Sequence, residues 1–297
     1  MRLITRGDLD GLTCAVIISS NEKIDQIKLI HPQDITDKRI EVTKNDILAN
    51  VPYDARCGKW FDHHILTDNN PKPPEKFDGA YGLAPSAARL VYDYYGGEAK
   101  MPGLATLVKE TDRLDSAQLT PADVTDPQGH ILLGYTIDNR TGLGAFEDYF
   151  LLLVDLLKKE PITAVLDHPL VKQRWERIKA DERTFLEVTK KHSRLDGNVV
   201  ITDFRPLSTL PIGNRFLIYT LFPQANVSLR IHWGPQQRFV VAAVGHSIFN
   251  RTCRTNVGEL MGKYGGGGHK GAGTAPLAAE KAGAQLEEII ATLKRNG

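Results

Sequence analysis

The run Trp60-Phe61-Asp62-His63-His64 sets a carboxylate and two imidazoles directly behind an apolar pair. Buried strands often end this way where they meet a cleft. Neighbouring side chains on an extended backbone point to opposite sides, so one histidine can ligate a metal while the other reaches a substrate. Asp8 and Asp10 are two apart, which places both carboxylates on one side of an extended segment. Two crowded carboxylates repel unless a cation sits between them, and such hard oxygen ligands suit magnesium or manganese. Taken alone, the pair also fits an Asp-Gly turn with solvated acids. Asp112 ends a helical run and offers a third carboxylate, with Asp115 as the neighbouring candidate. Far downstream, residues 265–273 read Gly-Gly-Gly-Gly-His-Lys-Gly-Ala-Gly. A backbone without Cβ atoms can turn its N–H groups inward around an anion, and His269 and Lys270 add donors and charge at that point. The spacing is neither that of a P-loop nor that of a dinucleotide fingerprint. Arg251 and Arg254 lie shortly before it and can add bidentate phosphate contacts.

These groups need elements to hold them. Residues 1–5, 26–31, 46–51 and 59–61 read as strands, and the small apolar residues 12–19 as a buried helix beginning after Gly11. A strand followed by an acidic loop and a helix places ligands at the carboxyl edge of a parallel sheet. Residues 69–74 form a Pro-rich loop. Ser86 caps a helix whose apolar face is Ala87, Leu90, Val91 and Tyr94. Further helices are expected over 104–110, 129–137 and 146–159. The fold class that follows is α/β, with an open, mostly parallel sheet in an N-terminal domain over 1–160.

A charge-rich helix over 169–192, with Val171, Trp175, Ile178, Phe185 and Val188 as its packed stripe, forms a linker region over 161–196. From Gly197 the pattern turns to strands, at 198–204, 216–222, 226–233 and 238–245, followed by helices at 257–264 and 278–294. This predicts a smaller α+β domain over 197–297, with the glycine stretch as a loop between its last two helices.

The length of 297 residues accommodates two such domains, and 41% hydrophobic with 25% charged residues is an ordinary globular composition. A formal net charge of +1 argues against a strong grip on long duplex nucleic acid. Cys14, Cys57 and Cys253 are odd in number and far apart, which fits small buried side chains in a reducing cytoplasm rather than a disulfide framework. The N-terminus reads as a strand and not as a signal peptide, and no apolar run is long enough to span a bilayer.

Taken together, and in this order, the pieces resemble the DHH phosphoesterase superfamily with its C-terminal DHH-associated domain, over nearly the whole chain. Asp8-Leu9-Asp10-Gly11 resembles the first motif, Asp62-His63-His64 the signature that names the family, Asp112 the acid of the fourth motif, and 265–273 the glycine signature of the associated domain. The resemblance implies a manganese-dependent hydrolase, with magnesium or cobalt as alternative ions, and an active site in a cleft between two lobes. On this transfer Asp10, His63 and Asp112 hold the main metal, and Asp8 shares it or orients its water. His64 contacts the scissile phosphate. Arg251, Arg254, Gly266, Gly267, Gly268, His269 and Lys270 grip the substrate. Two positions depart from the family: Ile4 and Arg6 stand where it has a histidine ligand, and Asn50 where it has a bridging aspartate. That weakens one metal position, leaving Asn50 as a neutral ligand, Asp54 as a recruit, or Arg6 as a fixed positive charge. The expected activity is cleavage of phosphodiester bonds in short oligonucleotides or linear dinucleotides. Exopolyphosphatase activity and a degenerate nucleotide-binding role are the alternatives. The expected partner is the small nucleotide itself, without membrane, and a homodimer is compatible with the chain.

Overall fold

The structure, a computed structural model, describes residues 1–66, 71–138 and 143–297. The expected loop at 69–74 therefore lies partly outside the described residues. Contacts divide the chain into two units, Met1–Leu119 with Pro127–Ile178, and Thr120–Asp126 with Lys179–Gly297.

In the first unit, strands β1 (Arg2–Thr5), β2 (Gln26–Leu29), β3 (Asp46–Ala49), β4 (Lys59–Asp62) and β5 (Gly79–Tyr81) form one sheet in the order β2-β1-β3-β4-β5. Every pairing is parallel. The apolar runs read as strands because alternate side chains find cover on both faces. Leu3, Ile47 and Phe61 pack with the helices Leu9–Asn21, Ala87–Tyr94, Ala105–Asp115 and Phe146–Leu157. Ile4, Leu48 and Trp60 pack on the other side with Ile35, Val42, Val51 and Tyr53. Parallel strands share one carboxyl edge, so the ends of β1, β3 and β4 bring Asp8, Asn50 and Asp62 to the same side of the sheet. The first helix begins at Leu9 rather than after Gly11, because the Asp8 carboxylate caps it by accepting from the Gly11 N–H.

The helix Pro169–Lys191 follows the expected span. Its Val171 and Trp175 pack into the first unit's core. The second unit holds strands β6 (Ser193–Asp196), β7 (Val199–Asp203), β8 (Val227–Trp233), β9 (Phe239–His246), β10 (Gly267–His269) and β11 (Ala272–Ala278), in the order β10-β11-β9-β8-β7-β6. The β7–β8 pair is parallel and its neighbours are antiparallel. Val227, Leu229 and Ile231 alternate inward against the helices Val257–Gly262 and Ala282–Arg295.

Two expectations for this unit are corrected. The strand expected at 216–222 is the helix Leu217–Leu221. Asn214 starts it, its side chain accepting from the Phe216 N–H and its carbonyl from the Leu217 N–H, a local turn that competes with extension. The glycine stretch is not a loop between helices: it forms a β-hairpin, β10 with β11, and the last helix starts at Ala282 instead of 278. The glycines fit because backbones approach closely: a Cβ on Gly266 would lie 2.0 Å from the Thr274 carbonyl oxygen, and one on Gly268 2.2 Å from that of Ala272.

Candidate active site

All the acids and histidines of the site belong to the first unit. β4 delivers Asp62, buried at 2% exposure, and the chain then turns away from the sheet. Asp62 organises that turn. Its Oδ1 accepts from the His63 backbone N–H at 2.9 Å and from His64 Nδ1 at 2.7 Å. The hydrogen bond to Asp62 is the main reason the His64 pKa is raised above its ordinary value. Half of the His64 side chain is exposed, at 50%, so the ring is held at one nitrogen and open at the other edge.

Past the end of β4 the alternation expected of an extended chain does not hold: the His63 ring lies edge-on to that of His64, with centroids 4.5 Å apart. His63 Nδ1 donates to the Ala84 carbonyl at 3.0 Å. That fixes the tautomer and leaves a lone pair on Nε2. Nε2 is buried and makes no hydrogen bond. It lies 3.2 Å from Asp115 Oδ2 and 3.7 Å from Asp10 Oδ2. A bare imidazole lone pair facing two carboxylates is repulsive unless the ring is doubly protonated or a cation stands between them. The ligand atoms of Asp10, His63 and Asp115 lie within 4.8 Å of one another.

The acids carry the same signal. Asp10 sits in the first turn of its own helix and accepts from the N–H groups of Ala87 (3.0 Å) and Ala88 (2.7 Å), at the N-terminus of another. Its pKa is nonetheless raised, first by burial and then by the charges of Asp115 and Asp8. Asp115 is raised too, by burial and then by Asp8. As the last residue of the helix Ala105–Asp115, Asp115 also faces the negative end of the helix dipole. Each of these penalties falls on the anionic form, and a divalent cation removes all of them. The residues present therefore fit a metal ion, with two carboxylates and one neutral imidazole.

Two predicted ligands are placed elsewhere. Asp112 does not join the cluster: its Oδ2 takes a fork from Arg89, with Nε at 3.0 Å and Nη2 at 2.6 Å, and its Oδ1 accepts from Ser86 Oγ at 2.6 Å. It thereby holds the N-terminus of the helix Ala87–Tyr94, whose amides grip Asp10. Asp115, three residues on along the same helix face, takes the place expected of Asp112. Asp8 is also outside the cluster, and its carboxylate is turned to other partners. Gly11 N–H at 2.8 Å and Asn50 Nδ2 at 3.0 Å reach Oδ1, and Arg6 Nε lies 3.1 Å from Oδ2. Asn50 is 1% exposed and adopts a left-handed φ of 58°, a conformation asparagine tolerates better than most residues. Its Oδ1 is buried without a partner. Asp54 is engaged by Arg56 and is not recruited.

In the second unit, Gly267, Gly268, His269, Lys270, Arg251 and Arg254 are exposed, and Gly266 is half-buried. The Lys270 carbonyl accepts from the Val257 N–H, and His246 Nε2 donates to the Thr255 carbonyl, so the hairpin turn lies beside residues 255–257. Arg251 turns its Nε back to the Ile248 carbonyl. The roles of Ala84, Asp62 and the Arg89–Asp112 pair had no signature in spacing. Only the left-handed asparagine and the acid at a helix end are features that a sequence reading can flag.

No protein-family model and no curated protein matches the chain. Solved structures do. The chain is 40% identical to the pGpG-specific phosphodiesterase PggH of Vibrio cholerae, with a TM-score of 0.84, covering 100% of this chain and 99% of that one. An exopolyphosphatase-related protein from Bacteroides fragilis shares the fold at 14% identity and a TM-score of 0.54, over 99% and 92% of the two chains. RecJ from Thermus thermophilus, in complex with Mn2+, does so at 12% identity and a TM-score of 0.55, over 99% of this chain and 52% of that one. Among the described residues, no helix is long and apolar enough to cross a membrane. With end-to-end likeness at that level of identity, and with its acids and paired histidines at the carboxyl edge of a parallel sheet, the chain belongs to the DHH phosphoesterase superfamily.

Proposed function

We propose that the chain is a manganese-dependent phosphodiesterase that hydrolyses short linear nucleotides, with the dinucleotide pGpG as its preferred substrate. The observation that carries the reading is His63: a buried imidazole with its tautomer fixed by Ala84 and its free nitrogen aimed between two carboxylates. The substrate class is supported by 40% identity to PggH over the full chain. A net charge of +1 also suits a small substrate better than a long polyanion.

Asp10, His63 and Asp115 are the residues proposed to hold the ion. Bound there, a divalent cation lowers the pKa of a water molecule and neutralises charge on phosphoryl oxygens. Manganese is proposed ahead of magnesium because the set mixes an imidazole with carboxylates, whereas magnesium prefers oxygen and its own waters. His64, whose proton affinity is raised by the hydrogen bond to Asp62, presents its exposed edge as a donor to a phosphoryl or leaving oxygen. Asp112 is a positioning residue that acts through Arg89, Ser86 and the helix amides on Asp10. Arg251, Arg254, Gly266, Gly267, Gly268, His269 and Lys270 are proposed to contact the remainder of the substrate, with the two arginines and Lys270 meeting phosphate.

A panel of pGpG, longer oligoribonucleotides and polyphosphate, each with added Mn2+, tests the reading. The expected outcome is fastest turnover of pGpG to two molecules of pG. Faster release of orthophosphate from polyphosphate would instead assign the site to exopolyphosphate hydrolysis.

A further inference from the structure

The charges around the proposed metal ligands do not balance by those ligands alone. Asp62 is engaged by the His64 ring, whose Nδ1 lies 2.7 Å from its Oδ1. Asp8, Asp10 and Asp115 remain, and the negative charge of Asp8 acts on both of the others. Asp8 is answered within the chain, with Arg6 Nε 3.1 Å from its Oδ2. The Asn50 amide fixes the other side, with Nδ2 donating to Asp8 Oδ1 at 3.0 Å. Reversing that amide would set two oxygens against each other, so the donor must face Asp8. The Gly11 N–H reaches the same oxygen at 2.8 Å. These two donors occupy Oδ1, the Arg6 guanidinium stands beside Oδ2, and a donor cannot share its own place with a cation.

Among the described residues, the two acids that flank Asn50 in sequence are both engaged. Asp46 is clamped by Arg2 through Nε and Nη2, both at 2.7 Å, and Asp54 is clamped by Arg56 through Nε and Nη2. Once the Arg6–Asp8 pair is neutral, Asp10 and Asp115 carry two negative charges, which one divalent ion matches. A second divalent ion would leave the cluster with an excess of two positive charges.

We propose that Arg6, fixed by Asp8 and supported by Asn50, supplies a covalently attached second positive charge to this centre, so that it binds a single divalent ion. The inference rests on the metal site assigned above, and its test separates the two claims. Mn2+ bound per chain is counted at saturation by native mass spectrometry. The electron paramagnetic resonance spectrum reports whether the ions are isolated or exchange-coupled. Wild type is expected to hold one ion with an isolated-ion spectrum. The double variant Arg6→Gln/Asn50→Asp removes the fixed cation and restores a carboxylate, and is expected to hold two coupled ions. Two ions in wild type would overturn the role of Arg6 and leave the metal site standing. No ion in wild type would overturn the metal site and the inference with it. A folded double variant that still holds one ion would show that Arg6 and Asn50 are not what excludes the second. The wild-type count decides the question even where the double variant does not fold.

Discussion

Substitution Asp62→Asn isolates the electrostatic part of the His-His turn. Asparagine keeps an oxygen that can accept from the His63 N–H, so the turn after β4 persists. What is lost is the charge beside His64 Nδ1, 2.7 Å away. A hydrogen bond to a charged partner contributes about 1.5–3 kcal/mol when buried; His64 is 50% exposed, so solvent screening cuts this roughly in half, to about 1 kcal/mol. The assay is a proton NMR titration of the imidazole Hε1 signals in metal-free protein, with His64 assigned by comparison with His64→Gln. His64 is expected to titrate above the ordinary histidine value in wild type, raised by Asp62, and lower in the variant. Because its folded pKa is raised, its stabilisation is complete below the unfolded value, near pH 6.5, and is lost as pH rises through the folded value. The variant should lose that increment on the acidic side and differ little above it. An unchanged His64 midpoint would refute the assignment of Asp62 as the group that raises the proton affinity of this imidazole.

Asp115→Asn should weaken Mn2+ affinity at least about 100-fold while raising the melting temperature of metal-free protein at pH 7, because it removes a carboxylate its neighbours repel. Asp112→Asn should instead lower stability: it removes the carboxylate forked by Arg89, leaving that arginine only the 3.9 Å pair with Asp93, and costs about 1–3 kcal/mol in denaturant melts, with a 10- to 100-fold loss of Mn2+ affinity as the upper range for a supporting group. The raised pKa values of Asp10 and Asp115 mean that folded, metal-free protein keeps protons the unfolded chain releases. Its stability should therefore fall as pH rises from the ordinary carboxylate range toward neutrality, and saturating Mn2+ should abolish that slope, as read by melting curves across pH. In the hairpin, Gly266→Ala should cost about 1–3 kcal/mol, since its Cβ meets a carbonyl at 2.0 Å, whereas Gly267→Ala meets nothing within 4 Å and should change stability by less than about 0.5 kcal/mol in the same urea titration.

Short apolar runs carry most of the fold because they are a local signal. Leu3, Ile4, Ile47, Leu48, Trp60 and Phe61 are apolar in register, and a parallel sheet covered on both faces asks for that. Its shared carboxyl edge then brings together Asp8, Asn50 and Asp62, which are far apart in sequence. The choice between Asp112 and Asp115 is not local. Residues three apart lie on one helix face, so spacing allows either. It is decided by Arg89 and Ser86, from another helix, which occupy the first and leave the second. The departures at Arg6 and Asn50 are visible as residue types, but only geometry shows both committed to Asp8. Residues 216–222 misread for a related reason: an apolar stretch of seven fits a strand or a short helix, and the Asn214 turn tips it to the helix Leu217–Leu221. The glycine stretch misread because its need for bare backbone comes from close neighbours across a hairpin, and that need looks the same in sequence as an open anion-binding loop.

The most direct test of the account is turnover of pGpG with Mn2+, measured as pG formed, in wild type beside His63→Ala. The account predicts two molecules of pG for each pGpG consumed by wild type, and a loss of at least about 100-fold in kcat for a folded His63→Ala variant. Undiminished turnover without the His63 imidazole, or no hydrolysis by wild type with manganese, magnesium or cobalt, would contradict it.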